Sequence, residues 1–259
     1  MISPARVEVA RFPKLQAARE MVATPADAPA EDAPAPAVPF SPVSLFVAGW
    51  VMASFFIVQA LQGEGWTTRG ASSSKAILEQ GEWWRTLTAL TLHADLSHFG
   101  ANLATLLLFA AFLVPRLGPG VAWLLIVLTG ALGNFVNAWG YRGAGHASIG
   151  ASTAVFGTLG LLVGLEVMAR ARGRHLHRLW HLIVPLGGGL GLLAFFGVGD
   201  PTEYRTDHWA HAWGFGVGLV LGAGAALNRY ASLPASIQRA AAAAAVGLLL
   251  LAWWMASNP

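Results

Sequence analysis

The sequence predicts an all-α, polytopic membrane protein, and three observations lead to that class. Hydrophobic residues make up 55% of the chain and charged residues 11%, with a mean hydropathy of +0.55, a balance that water-soluble domains rarely carry. Seven apolar runs, 43–61, 96–114, 120–141, 149–165, 179–199, 208–228 and 240–257, approach the roughly 20 residues that a helix rising about 1.5 Å per residue needs to cross a bilayer. Finally, Lys and Arg sit in short connections between these runs. The formal charge of +3 and pI near 9.8 therefore speak for membrane orientation and against a nucleic-acid partner.

Taken in order, residues 1–42 form a tail holding eight of the fourteen prolines. Its stretch 24–42 is dominated by Ala and Pro around Asp27, Glu31 and Asp32, and lacks the large apolar side chains that bury a core. It reads as a disordered cytoplasmic linker. Residues 5–21 are a candidate surface helix that Pro13 interrupts, and no apolar signal core precedes span one. The six spans within 43–228 form one unit, and 229–259 adds a seventh helix of mostly Ala and Leu. With no cysteine, the chain has neither disulfides nor thiolate metal sites.

Placing the tail inside puts eleven basic residues on the cytoplasmic side, with Arg170, Arg172, Arg174 and Arg178 the densest group, and five on the other. This bias predicts an N-inside, C-outside protein; the small size, the Ala- and Gly-rich composition and the lack of an obvious transit peptide make a bacterial inner membrane the expected location. On the outer side, 62–92 is a long connection carrying Trp66, Trp83 and Trp84, residues that favour the interface. The short polar segment 198–207 is the natural candidate for a lid.

Polar side chains inside spans are costly and point to function. Span two carries His98 and Asn102, with His93 just before it; span three carries Asn134 and Asn137; span four opens with Ser152; span six opens with His208 and His211. Spans two, four and six all enter from the outer face, so Asn102, Ser152 and His211 are expected at similar depth, within about 10 Å of that surface.

Each residue has a plainer reading. Ser152, after Gly150 and Ala151, is a helix-capping serine by the commoner account, or a nucleophile beside the free N–H groups of a first helical turn. His98 and Asn102, four apart on one face, either brace the bundle or donate to an oxyanion. His208 and His211 suit an interfacial position beside Trp209 and Trp213. Gly157, Gly160 and Gly164 on span four and Gly214, Gly218 and Gly222 on span six have the spacing that lets helix backbones touch. A transporter would use polar groups nearer the midplane and paired interrupted helices. Eight histidines would allow a haem or metal protein, but His175, His177 and His181 lie in or beside an inner connection, away from the outer pocket.

Four segments together resemble the rhomboid family of intramembrane serine proteases. These are Glu82-Trp83-Trp84-Arg85; His93, His98 and Asn102 at their spacing; Gly150-Ala151-Ser152-Thr153; and Ala210-His211-Ala212-Trp213-Gly214. The resemblance covers roughly residues 43–228 and implies a rhomboid-like six-helix catalytic core plus one C-terminal helix. It implies a Ser152–His211 dyad without an acidic third member. It further implies an oxyanion hole from the Ser152 N–H, His98 and Asn102, and structural roles for Trp84, Arg85, His93, Gly150, Gly157 and Gly214. Substrates would be single-span membrane proteins entering from the bilayer near span five, with no metal or cofactor. Thr153 stands where many members carry glycine. The rival within this resemblance is a pseudoprotease that binds membrane clients without cutting them; such a protein is expected to have lost nucleophile or base, and both are present.

Overall fold

A computed structural model describes residues 42–172, 187, 207–227, 230 and 233–258. Its long helices are α1 (Pro42–Gln62), α5 (Leu96–Leu117), α6 (Pro119–Gly140), α7 (Ser152–Arg172), α8 (His208–Ala225) and α9 (Ala235–Ser257). Between α1 and α5 lie the short helices α2 (Glu64–Gly70), α3 (Ser74–Glu79) and α4 (Arg85–Thr88), with the two-residue strand β1 (Ser72–Ser73) preceding α3. A second short strand, β2 (Ala147–Ser148), precedes α7.

Among the described residues, five helices, α1, α5, α6, α7 and α9, are long and apolar enough to cross a membrane. The expected sixth span is the 18-residue α8, which His208, His211 and its glycines make less apolar. The expected span 179–199, the lid segment apart from Asp207, and the tail lie outside the described residues. The chain is an integral, multi-pass membrane protein. In agreement, large apolar side chains stand outward on the bundle, Phe46, Trp50, Phe112, Val220 and Trp254 each more than 60% exposed. Such a surface suits lipid and would be an association patch in water.

α7 is the central helix, with 67% of its span buried, whereas α1 is peripheral with none. Lipid provides little hydrophobic drive between helices, so close packing of small residues holds them. A Cβ added at Gly214, Gly218 or Gly222 of α8 would fall 2.0–2.3 Å from backbone oxygens of Thr153, Gly157 or Leu161 on α7. In return, one at Gly160 or Gly164 would meet α8 carbonyls at 2.2 Å. Only glycine permits this approach, which continues for two to three turns.

Two boundaries differ from expectation by five residues or more. α9 begins at Ala235, five residues before the expected start, because Gln238 is no longer a polar cost once bonded. Its Oε1 accepts from the Gly120 and Val121 N–H groups, and its Nε2 donates to the Leu117 and Tyr230 carbonyls. α7 runs on to Arg172 through Glu166 and Arg170, which pair four residues apart at 2.5 Å.

Candidate active site

Helix caps set the positions of the two histidine-bearing elements. Asp95 accepts the His98 N–H at 2.8 Å and starts α5, which puts His98 in its first turn and Asn102 one turn later. Asp207 accepts the Ala210 N–H at 3.1 Å and starts α8, putting His211 in the first turn there. Ser152 is the first residue of α7, which starts three residues into the expected apolar run beginning at 149. Gly150 takes φ +131°, a conformation that side-chain-bearing residues rarely adopt, so the chain turns there and the helix starts later.

That turn is anchored from both directions. β2 pairs antiparallel with β1 (Ser72 with Ser148, Ser73 with Ala147), and the Gly150 N–H donates to the Ala89 carbonyl at 2.9 Å. The Ala151 N–H donates to His93 Nε2 at 3.4 Å. His93 is itself clamped by α1: Gln59 donates to its carbonyl at 2.8 Å and accepts its N–H at 2.9 Å. Burial first, and the neighbouring His98 second, push the His93 imidazole down from 6.5 to about 4, against weaker upward pulls from the Thr91 backbone and Asp95. His93 is therefore neutral at physiological pH, as an acceptor at Nε2 must be.

Around Gly150 the polar atoms converge. A Cβ built there would lie 3.0 Å from His98 Nε2 and 3.5 Å from Ser152 Oγ, so the missing side chain is the space between histidine and serine. The Ala94 N–H reaches His98 Nδ1 in a long 3.4 Å bond, which makes Nδ1 an acceptor and leaves Nε2 to carry a proton towards that space. His211 is buried, its ring 4.4 Å from that of Phe156, one helical turn beyond half-buried Ser152. One turn on, Gly214 lies against Thr153, so the faces bearing His211 and Ser152 are in contact. Asn102 is buried and donates one amide hydrogen to the His98 carbonyl at 3.0 Å, an intrahelical brace that leaves its second N–H available. His208 is exposed.

The Trp-Arg segment is structural in its contacts. Arg85 pairs with Glu82 and donates to the Thr68 and Ala71 carbonyls at 2.8 and 3.1 Å, folding the connection after α1 on itself. Trp84 packs on a small cluster containing Leu92 and Trp253. Trp253, from α9, stacks on Trp66 at 3.8 Å and donates to Thr91 at 2.9 Å. The connection between α1 and α5 is thus compact and tied to α9. Gly157 faces Thr129 of α6, whose Oγ1 would lie 2.4 Å from an added Cβ.

A cluster at the start of α8 was not assigned from sequence. Asn137 donates to Asp207 Oδ2 at 2.7 Å, and His146, stacked on Tyr141 at 4.0 Å, meets the same oxygen at 2.7 Å. Burial raises the Asp207 carboxyl, but hydrogen bonds from His146, the Ala210 N–H and Asn137 outweigh it and hold it below the usual carboxylate range. An Asp immediately before an apolar run, three residues from the bonded N–H, is an N-cap signature and the legible part of this cluster. His146 carried no signal.

A multi-pass helical membrane protein that gathers serine, histidine and asparagine at helix starts on one end of its bundle is the class this fold and site define. Residues 80–227, more than half of the chain, match the Rhomboid domain, and the protein belongs to the rhomboid family. It is similar to RHOMBOID-like protein 4 of Arabidopsis thaliana, 30% identical over 156 residues, which is 60% of this chain and 37% of that protein. Similarity also extends to the rhomboid protease GluP of Bacillus subtilis, 30% identical over 102 residues, 38% of this chain and 19% of that one. Rhomboid-type serine protease 2 of Emericella nidulans is 30% identical over 148 residues, 54% and 26% of the respective chains. The chain thus spans between 19% and 37% of the length of these relatives.

Proposed function

We propose that this protein is an intramembrane serine endopeptidase in which Ser152 attacks and His211 is the base. The observation that carries this reading is the space at Gly150, with Ser152 Oγ on one side and His98 Nε2 on the other, at the N-terminus of α7. His211 takes the Ser152 proton as the hydroxyl adds to a peptide carbonyl, then returns it to the leaving amine, and water hydrolyses the acyl-enzyme. The Ser152 N–H, which has no acceptor within its own helix, the His98 Nε2–H and the second Asn102 N–H stabilise the oxyanion. Asp207 serves the base indirectly, by starting its helix.

The test is incubation of the purified protein with a panel of single-span proteins and, separately, with a fluorophosphonate. Cleavage, and a covalent adduct on the peptide containing Ser152, are expected; a folded protein giving neither is a pseudoprotease.

Substrate preference follows from the cost of exposing backbone in lipid. A transmembrane helix hides its carbonyls in internal bonds, so cleavage is expected near the membrane boundary, after a small residue, with Gly or Pro nearby. Changing those Gly or Pro residues to Leu should slow cleavage. Equal rates would remove this basis for selection.

Orientation is part of the same proposal. Reporters fused after Arg172 should read as cytoplasmic, and those after Gly199 as external, as the eleven-to-five basic asymmetry demands. The reverse pattern would turn the pocket to the cytoplasm.

A further inference from the structure

A cavity of about 740 Å³, walled mainly by α1, α6 and α9, reaches at one end the turn before Ser152, where His93 and Ala151 line it. Its lining is almost wholly apolar, with Val47, Val51 and Phe55 from α1, Ile126 from α6, and Ala242 and Leu249 from α9. From Val43 to Phe55 the α1 wall extends about 18 Å, close to the roughly 15 Å of one hydrocarbon leaflet.

One end of this cavity is polar in a specific way. Ser44 Oγ and Trp123 Nε1 are buried without a hydrogen-bond partner, and both residues line it. Arg239 lines it too, is exposed, and has no ion pair among the described residues. Ser44, Trp123 and Arg239 stand near the starts of α1, α6 and α9 respectively. These three helices start at the same end of the bundle. Gln59 of α1 bonds His93, and Trp253 of α9 bonds Thr91, so the far ends of both helices reach the Ser152 side, where α6 also ends beside the turn leading to α7.

We infer that this cavity is a phospholipid site, with an acyl chain along α1 and α9 and the headgroup phosphate on Arg239. The Trp123 indole N–H and the Ser44 hydroxyl are covered by the lining, so the charge of exposed Arg239 beside the apolar wall is what the occupant must match. A phospholipid brings ester and phosphate oxygens to the end of an apolar tail. A transmembrane helix from another protein or a second copy carries no phosphate at that end, and its carbonyls are already bonded internally. An unpaired arginine at a helix start favours an anionic headgroup over a zwitterionic one.

The test uses native mass spectrometry of the full chain in detergent, exposed to equal amounts of phosphatidylglycerol and phosphatidylcholine with the same acyl chains. One retained phospholipid is expected, with phosphatidylglycerol preferred about fivefold, a preference that Arg239→Gln should erase. Ala242→Trp, which fills the cavity, should lower retention of both. Retention unchanged by Ala242→Trp, or a headgroup preference unchanged by Arg239→Gln, would overturn the proposal. Because the chain has no cysteine, Ala242→Cys carries a unique thiol for a photoreactive benzophenone. In phosphatidylglycerol vesicles, illumination should give a lipid adduct. An adduct to residues 1–41 or to a second copy would assign the cavity to that occupant instead.

Discussion

Ser152→Ala should abolish proteolysis while leaving helical content unchanged. It removes the attacking atom and only one small polar group at the start of α7, and the Val155 N–H still bonds the Ala151 carbonyl at 2.9 Å. His211→Ala should be nearly as damaging, and the double variant little worse than either single one, since nucleophile and base act as a unit. Asn102→Ala should leave measurable activity. Losing one oxyanion donor typically lowers kcat by about 10²- to 10³-fold, and the Ser152 N–H and His98 Nε2–H would remain. His208→Ala, on an exposed side chain, should cost least. Initial rates on one fluorogenic single-span substrate rank the set. Full proteolysis by Ser152→Ala would end the serine-protease reading, and inactivity of folded His208→Ala beside an active His211→Ala would move the base to His208.

Acidification should destabilise the protein before its carboxylates titrate. His93 has a lowered folded value, about 4, against an ordinary 6.5, so between these limits the unfolded chain binds the extra proton. Stability is therefore full above about 6.5 and falls with pH to about 4, by roughly 3 kcal/mol from this residue. For a chain of this size that is a drop in Tm on the order of 6 to 12 °C. The loss has a local meaning, because protonation at Nε2 removes the acceptor of the Ala151 N–H and frees the turn before Ser152. Asp207 has a depressed value, so its contribution is present above the ordinary carboxylate range and is lost only as pH falls through its lower folded value, a separate window. Thermal melts in detergent from pH 7.5 to 4 should show the slope in the native chain, and His93→Gln should flatten it. An undiminished slope in that variant would assign the acid sensitivity elsewhere.

Much of the bundle was legible because the bilayer imposes a length and a polarity on every crossing segment. Runs of about 20 apolar residues had no alternative, and α1, α5, α6, α7 and α9 lie where hydropathy put them. The residues of the candidate site were legible for the complementary reason. A serine, two histidines and an asparagine at helix starts are conspicuous where polar groups are expensive, and alternation of helix direction assigned them to one end. Boundaries were less legible at Gln238 and Glu166, polar residues that interrupt an apolar run yet continue the helix once distant partners satisfy them.

The sequence by itself determined the solvent, the places of the five long apolar helices among the described residues, and the residue types at the helix starts, because hydropathy and periodicity are properties of contiguous residues. Only the tertiary structure decided which polar groups meet. Asn137 and His146 reach Asp207 across 70 and 61 residues, Gln59 clamps His93 across 34, and Trp253 of α9 bonds Thr91 across 162. A single amide, imidazole or indole in the chain specifies a need for a partner but not the partner's position. That position depends on which helix faces are pressed together, and here the glycine contact of α7 with α8 makes that choice.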